Sequence, residues 1–113
     1  MTDQQDVGEF ASDGLEILFA ALASRDRLSL MSVLLREAKV DGLRGSSISM
    51  LASEAEISRF SASRHLSILR RAGLVEANYS GRRTLHHLNV ARLEAMEDWL
   101  YPFVLEGAAG QDR

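Results

Sequence analysis

Apolar residues recur along the chain first with helical spacing, then with strand-like alternation, then with helical spacing again. In "GLEILFAALAS", Leu15, Leu18, Phe19 and Leu22 fall at i, i+3, i+4 and i+7, which predicts a helix with one apolar face. Ser24 can cap a second helix, "RDRLSLMSVLLREA", with Leu28, Met31, Leu34 and Leu35 turned inward. "KVDGLRGSSIS" breaks the pattern with two glycines and reads as a loop, leaving room for a brief strand at 46–48. Ser49 is placed to cap a short third helix, "MLASEAE". Ile57 and Ser58 form a break, and Ser58 then caps a fourth helix that runs to Ala72, where Gly73 supplies a left-handed stop. "LVEANY" and "TLHHLN" are strand-like, with "SGRR" as the turn between them. A last helix, "VARLEAMEDWLYPFVLEG", puts Val90, Leu93, Met96, Leu100 and Phe103/Val104 on one stripe, and Pro102 is expected to bend or shorten it.

The order is therefore α-α-α-α-β-β-α, mainly α with a β-hairpin wing. Two short helices across a tight break, followed by a hairpin, make a winged helix-turn-helix, in which the second helix of the pair can enter a DNA major groove. The expected domain is 13–106, between a flexible acidic tail at 1–12 and a flexible C-terminal tail at 107–113. The opening "MTDQQDVGEFASDG" lacks the basic-then-apolar pattern of a secretory signal, and no apolar run approaches the ~20 residues that span a bilayer. A cytoplasmic protein with no membrane partner is expected.

Composition narrows the chemistry. There is no cysteine, which removes disulfides, thiolate nucleophiles and thiolate metal sensing. Net charge is −3, an unpromising total for a nucleic-acid partner, but its distribution is uneven. Between residues 58 and 83, Arg59, Arg64, Arg70, Arg71, Arg82 and Arg83 face Glu76 alone, a local +5, whereas the remaining seven basic and fifteen acidic residues give −8. Clustered charge of this kind steers a polyanion whatever the total.

At 100° per residue, Ala62, Leu66, Leu69 and Gly73 form the buried stripe of the fourth helix, and Phe60, Arg64, Ser67 and Arg71 lie opposite. Ser58, Arg59, Ser61 and Ser63 flank its first turn. Ser58, Arg59, Phe60, Ser61, Ser63, Arg64 and Ser67 are accordingly the candidate DNA contacts on this helix, with Arg82 and Arg83 at the wing tip. The Phe60 ring is expected to fold back onto a neighbouring helix, the alternative being contact with a thymine methyl. His65, about 60° from the middle of the stripe, is expected as a half-buried packing residue. Arg70 and Arg71 suit the helix C-terminus whatever the function. The apolar residues Leu15, Leu18, Phe19, Leu22, Leu93, Met96, Leu100 and Val104 exceed what one small core needs, and are the candidate homodimer interface.

"SRFSASRHLSILRRAGLVEANYSGRRTLHHLN" resembles the recognition helix and wing of the ArsR/SmtB repressors, and "LFAALASRDRLSLMSVLL" resembles their first two helices, including an Arg at the position of Arg27. The resemblance spans roughly residues 15–100. It implies a homodimer formed by the first and last helices, binding an imperfect palindrome in double-stranded DNA as an autoregulating repressor. Three features depart from that pattern: Glu56 stands where many such turns have Gly, Arg25 replaces a common Pro, and the 39–47 loop is longer.

The resemblance also raises metal sensing, and the residues argue against it. The last helix offers Glu94, Glu97 and Asp98 but no His, and the adjacent His86 and His87 of one strand point to opposite faces. No metal site, cofactor or catalytic residue is expected, and the effector is left open. Ser61 and His65 are helical neighbours without an orienting acid, which disfavours an enzyme. The alternative function is a winged-helix protein-interaction module, which would have no use for a basic wing and an outward Arg/Ser face.

Overall fold

Leu30, Leu51, Leu66, Leu69 and Leu74 lose essentially all solvent contact, and the elements that carry them define the fold. The computed structural model describes residues 14–41 and 45–111, so the expected tail at 1–12 and the middle of the 39–47 loop lie outside the described residues. The elements are α1 (Glu16–Leu22), α2 (Arg25–Asp41), β1 (Ser46–Ser47), α3 (Ile48–Ala55), α4 (Arg59–Ala72), β2 (Val75–Ser80), β3 (Arg83–Leu88) and α5 (Val90–Gln111). Helices α1 to α4 enclose the core. An antiparallel sheet of order β1-β3-β2 closes one side of it, with Ser46 opposite His86 and Val75 opposite Leu88. The described portion is a mainly helical winged helix-turn-helix.

The helix ends follow from their side chains. The Ser58 hydroxyl accepts the Ser61 N–H at 3.0 Å and starts α4. Gly73, at φ 89°, ends it: the Gly73 and Leu74 amides donate to the carbonyls of Arg70 and Leu69, and the chain leaves in the direction of β2. Helix α3 begins two residues earlier than expected, because Ser47 rather than Ser49 is its cap and accepts the Met50 N–H at 3.3 Å. Ile48 thereby enters the helix and packs against the core, and Leu51 is buried.

Three other expectations are corrected by packing. In α2 the inward residues are Leu30, Val33 and Leu34, while Leu28 and Leu35 are each 51% exposed. The run "LSLMSVLL" supports two helical phases, and contact with α3, α4 and β3 selects between them. Pro102 does not shorten α5, which continues to Gln111 and so makes helix of residues 107–111 in the expected C-terminal tail. A helical Pro removes one N–H bond, and every residue from Glu97 to Gly110 is exposed, so water can serve the freed carbonyl. Finally, Leu15, Leu18 and Met96 belong to the protomer's own core and offer a second copy almost no area. Of the expected interface set, Leu22 and Leu93 are half-buried, whereas Phe19, Leu100 and Val104 are exposed.

The outer half of α5 carries more apolar surface than the stripe suggested. Trp99, Tyr101, Phe103 and Leu105 are exposed beside Leu100 and Val104. Trp99 packs edge-on against Phe19 of α1, with centroids 5.6 Å apart, and lies 4.7 Å from Phe103. A continuous aromatic row thus joins α1 to α5. No helix among the described residues is long and apolar enough to cross a membrane.

Candidate nucleic-acid interface

Local chemistry sets where α4 points. Ala62, Leu66 and Leu69 anchor it to the core, which leaves Arg59, Phe60, Ser63 and Arg64 exposed on its outer side. Ser61 and Ser67 are half-buried flanking residues, and Ser58 is exposed at the cap. The Phe60 ring does not fold back onto a neighbouring helix. It is 74% exposed, because the buried face of α4 lies on the other side and leaves it nothing to pack on.

The turn before α4 holds Glu56 in the left-handed region, φ 59° and ψ 43°, with its N–H bonded to the Ser53 carbonyl at 3.2 Å. A non-glycine residue there costs about 1–2 kcal/mol of backbone energy.

The wing is pinned in register. Ser80 pairs with Arg83, so Gly81 and Arg82 form a two-residue turn, with positive φ at Gly81 (63°) as in a type II′ hairpin. Arg82 and Arg83 are both exposed at its tip. Arg59, Arg82 and Arg83 line one groove of about 320 Å³, together with Ser47, Ser49 and Thr84. The start of α4 and the wing tip therefore face a common space instead of lying across the molecule from each other.

These cations are available to a ligand. Among the described residues Arg36 pairs with Glu54, and the carboxylates of Asp26 and Glu76 lie near the rings of His65 and His87; no carboxylate pairs with Arg59, Arg64, Arg70, Arg71, Arg82 or Arg83. Guanidinium groups held on a rigid helix and hairpin, with hydroxyls between them, suit phosphates and base edges.

The histidines serve elsewhere. His65 is half-buried, and its ring nitrogens face Arg27 and Asp26, not Ser61. His87 accepts from Asn78 Nδ2 at 3.1 Å. His86, on the opposite face of β3, is fully buried, and neither ring nitrogen has a hydrogen-bond partner. Burial holds its pKa below the usual 6.5, helped by the positive charge of Arg70 and by His87. The Ser46 backbone pulls weakly the other way, although it stands outside bonding geometry to either nitrogen. Among the described residues, no group of three His, Asp or Glu side chains gathers as a metal site would require.

No protein-family model matches the chain and no curated protein matches it. Solved structures do. An ArsR-like transcriptional regulator from Rhodococcus sp. RHA1 is 28% identical with a TM-score of 0.69, over 93% of this chain and 91% of that one. The homodimeric winged helix-turn-helix DNA-binding domain Mb0332 from Mycobacterium bovis is 28% identical at TM-score 0.65, with 95% of each chain covered. Reduced HlyU from Vibrio cholerae is 28% identical at 0.63, over 84% of this chain and 93% of that one. The chain has the winged helix-turn-helix fold of these ArsR-like regulators and resembles them over most of its length. The candidate interface falls on α4 and the wing, the elements on which the sequence resemblance rested. Sequence reasoning missed Ser47, Ser49 and Thr84, which reach the groove only because β1 pairs with β3 and brings the start of α3 beside the wing.

Proposed function

We propose that this chain is a sequence-specific DNA-binding transcriptional regulator, a homodimeric repressor of an imperfect palindrome. The observation that carries the reading is the shared groove of Arg59, Arg82 and Arg83 beside exposed Arg64, with no acidic partner for any of the four among the described residues. Helix α4 lies in a major groove, where Arg64 and Phe60 meet base edges and Ser58, Ser61, Ser63 and Ser67 adapt to bases or phosphates. The wing arginines lie along the flanking backbone. The apolar row of Phe19, Trp99 and Phe103, with Leu100 and Val104 beside it, pairs with the same row of a second copy around a two-fold axis. Two recognition helices then meet half-sites about one helical turn apart. The 28% identity to a homodimeric DNA-binding domain and to an ArsR-like transcriptional regulator supports the reading.

Selection from a random duplex pool, followed by titration of Arg64→Ala, tests it. The wild type should enrich a two-fold symmetric site, and Arg64→Ala should lose about 1–3 kcal/mol of discrimination at one position in each half-site. A pool that stays random after selection would refute the proposal.

A further inference from the structure

Arg27 lies in the first turn of α2, away from the outer face of α4, yet it touches that helix. Its Nε–H donates to the Ala21 carbonyl in the last turn of α1, and Nη1 donates to His65 Nδ1 on α4 at 3.1 Å. The Arg27 backbone N–H is itself held by the Ser24 hydroxyl at 3.3 Å. One planar guanidinium thus bridges α1 and the recognition helix.

Each partner has a reason to be there. Ala21 is in the final turn of α1, where helix carbonyls lack intrahelical donors. The His65 side chain is 16% exposed, and an Arg donor at Nδ1 requires the tautomer with hydrogen on Nε2. Nε2 lies 3.6 Å from Asp26 Oδ2. His65 directly follows Arg64, so whatever fixes the ring also fixes the roll of α4 at its base-facing residue.

We propose that Arg27 is a positioning residue for DNA recognition, clamping the roll of α4 through His65 against the end of α1. The inference rests on the DNA-binding reading above and adds a control point that α4 itself does not contain. A roll of about 15° would sweep side-chain tips ~6 Å from the helix axis through about 1.5 Å, enough to break a bidentate base contact. Non-specific attraction between arginines and phosphates tolerates such a shift, because it depends on charge more than on angle. The clamp therefore controls discrimination more than overall attraction. It also links α4 to α1, whose Phe19 belongs to the exposed aromatic row.

The experiment compares the selected duplex with a random-sequence duplex for Arg27→Lys, His65→Leu and His65→Asn, alongside thermal unfolding of each variant. Arg27→Lys keeps the charge but cannot bridge both acceptors from one plane. His65→Leu removes the acceptor, and His65→Asn restores an acceptor near the Nδ1 position. Arg27→Lys and His65→Leu should each lower the ratio of specific to random affinity by roughly tenfold or more. Affinity for the random duplex and its salt dependence should stay within about twofold of wild type. His65→Asn should recover most of the ratio. If specific and random affinities fall together, or the ratio is unchanged in the folded variants, the clamp is overturned. If wild type itself shows no preference, the DNA-recognition reading fails, and the clamp with it. Should Arg27→Lys fail to fold, the His65 pair decides alone.

Discussion

Phe103→Glu is the sharpest probe of self-association. Phe103 is 60% exposed in the protomer, on the outer part of α5 beyond the last buried residue, Met96. Taking roughly 200 Å² for a phenylalanine side chain, a second copy can cover about 120 Å², worth about 3 kcal/mol. Two-fold symmetry doubles this to about 6 kcal/mol, or about four decades in dissociation constant, before the burial cost of a carboxylate is added. The substitution touches nothing in the core, so circular dichroism and thermal unfolding of the protomer should scarcely change. Leu18→Glu is the contrast: Leu18 is 2% exposed, and that variant should unfold. Sedimentation velocity over a wide concentration range reads the result. Wild type should be a dimer and Phe103→Glu a folded monomer. A wild type that stays monomeric at high concentration, or a Phe103→Glu variant that dimerises normally, refutes the assignment of this surface.

Other outcomes follow from single features. The double variant Arg82→Ala/Arg83→Ala should make the dependence of log affinity on log salt shallower by about 1.8 per protomer, weakening binding to every duplex by about 60-fold for each bound protomer near 0.1 M salt; an unchanged slope would remove the wing from the interface. For His86 the charged form is disfavoured in the folded state, so the unfolded chain binds more protons below pH 6.5. Stability is present above 6.5 and is lost as pH falls beneath it. His86→Leu should raise stability by about 1–3 kcal/mol, by removing two unpartnered ring nitrogens, and flatten the loss. Urea midpoints at several pH values will show this, and an equally steep loss in the variant counts against it. Glu56→Gly should add about 0.5–1 kcal/mol by relieving the left-handed backbone. A lower melting temperature would mean that the Glu56 side chain makes a contact worth more than the strain.

What the sequence disclosed, and what it hid, has a physical pattern. The α4 helix and the wing were legible because their signals are local. Ser58, Gly73 and Gly81 each act on their own backbone, and Ala62, Leu66 and Leu69 allow one phase. The phase of α2 was misread because Leu28, Leu30, Met31, Val33, Leu34 and Leu35 fit two faces equally, and only the packed neighbours distinguish them. Division of the apolar surplus between core and interface was hidden for a similar reason. Leu15, Leu18 and Met96 have the same pattern as Leu100 and Val104, but the former meet their own core and the latter lie past its edge. The His65–Arg27 bond joins residues 38 positions apart, and periodicity carries no trace of it.

The salt dependence of wild-type binding to its selected duplex tests the central claim most directly. If Arg59, Arg82 and Arg83 each neutralise a phosphate, log affinity should fall with log salt at a slope of about −2.7 per protomer, and about twice that for a dimer. A binding curve that stays flat from about 50 to about 200 mM salt would contradict the account, since it would mean that this exposed ridge of arginines does not lie along the duplex.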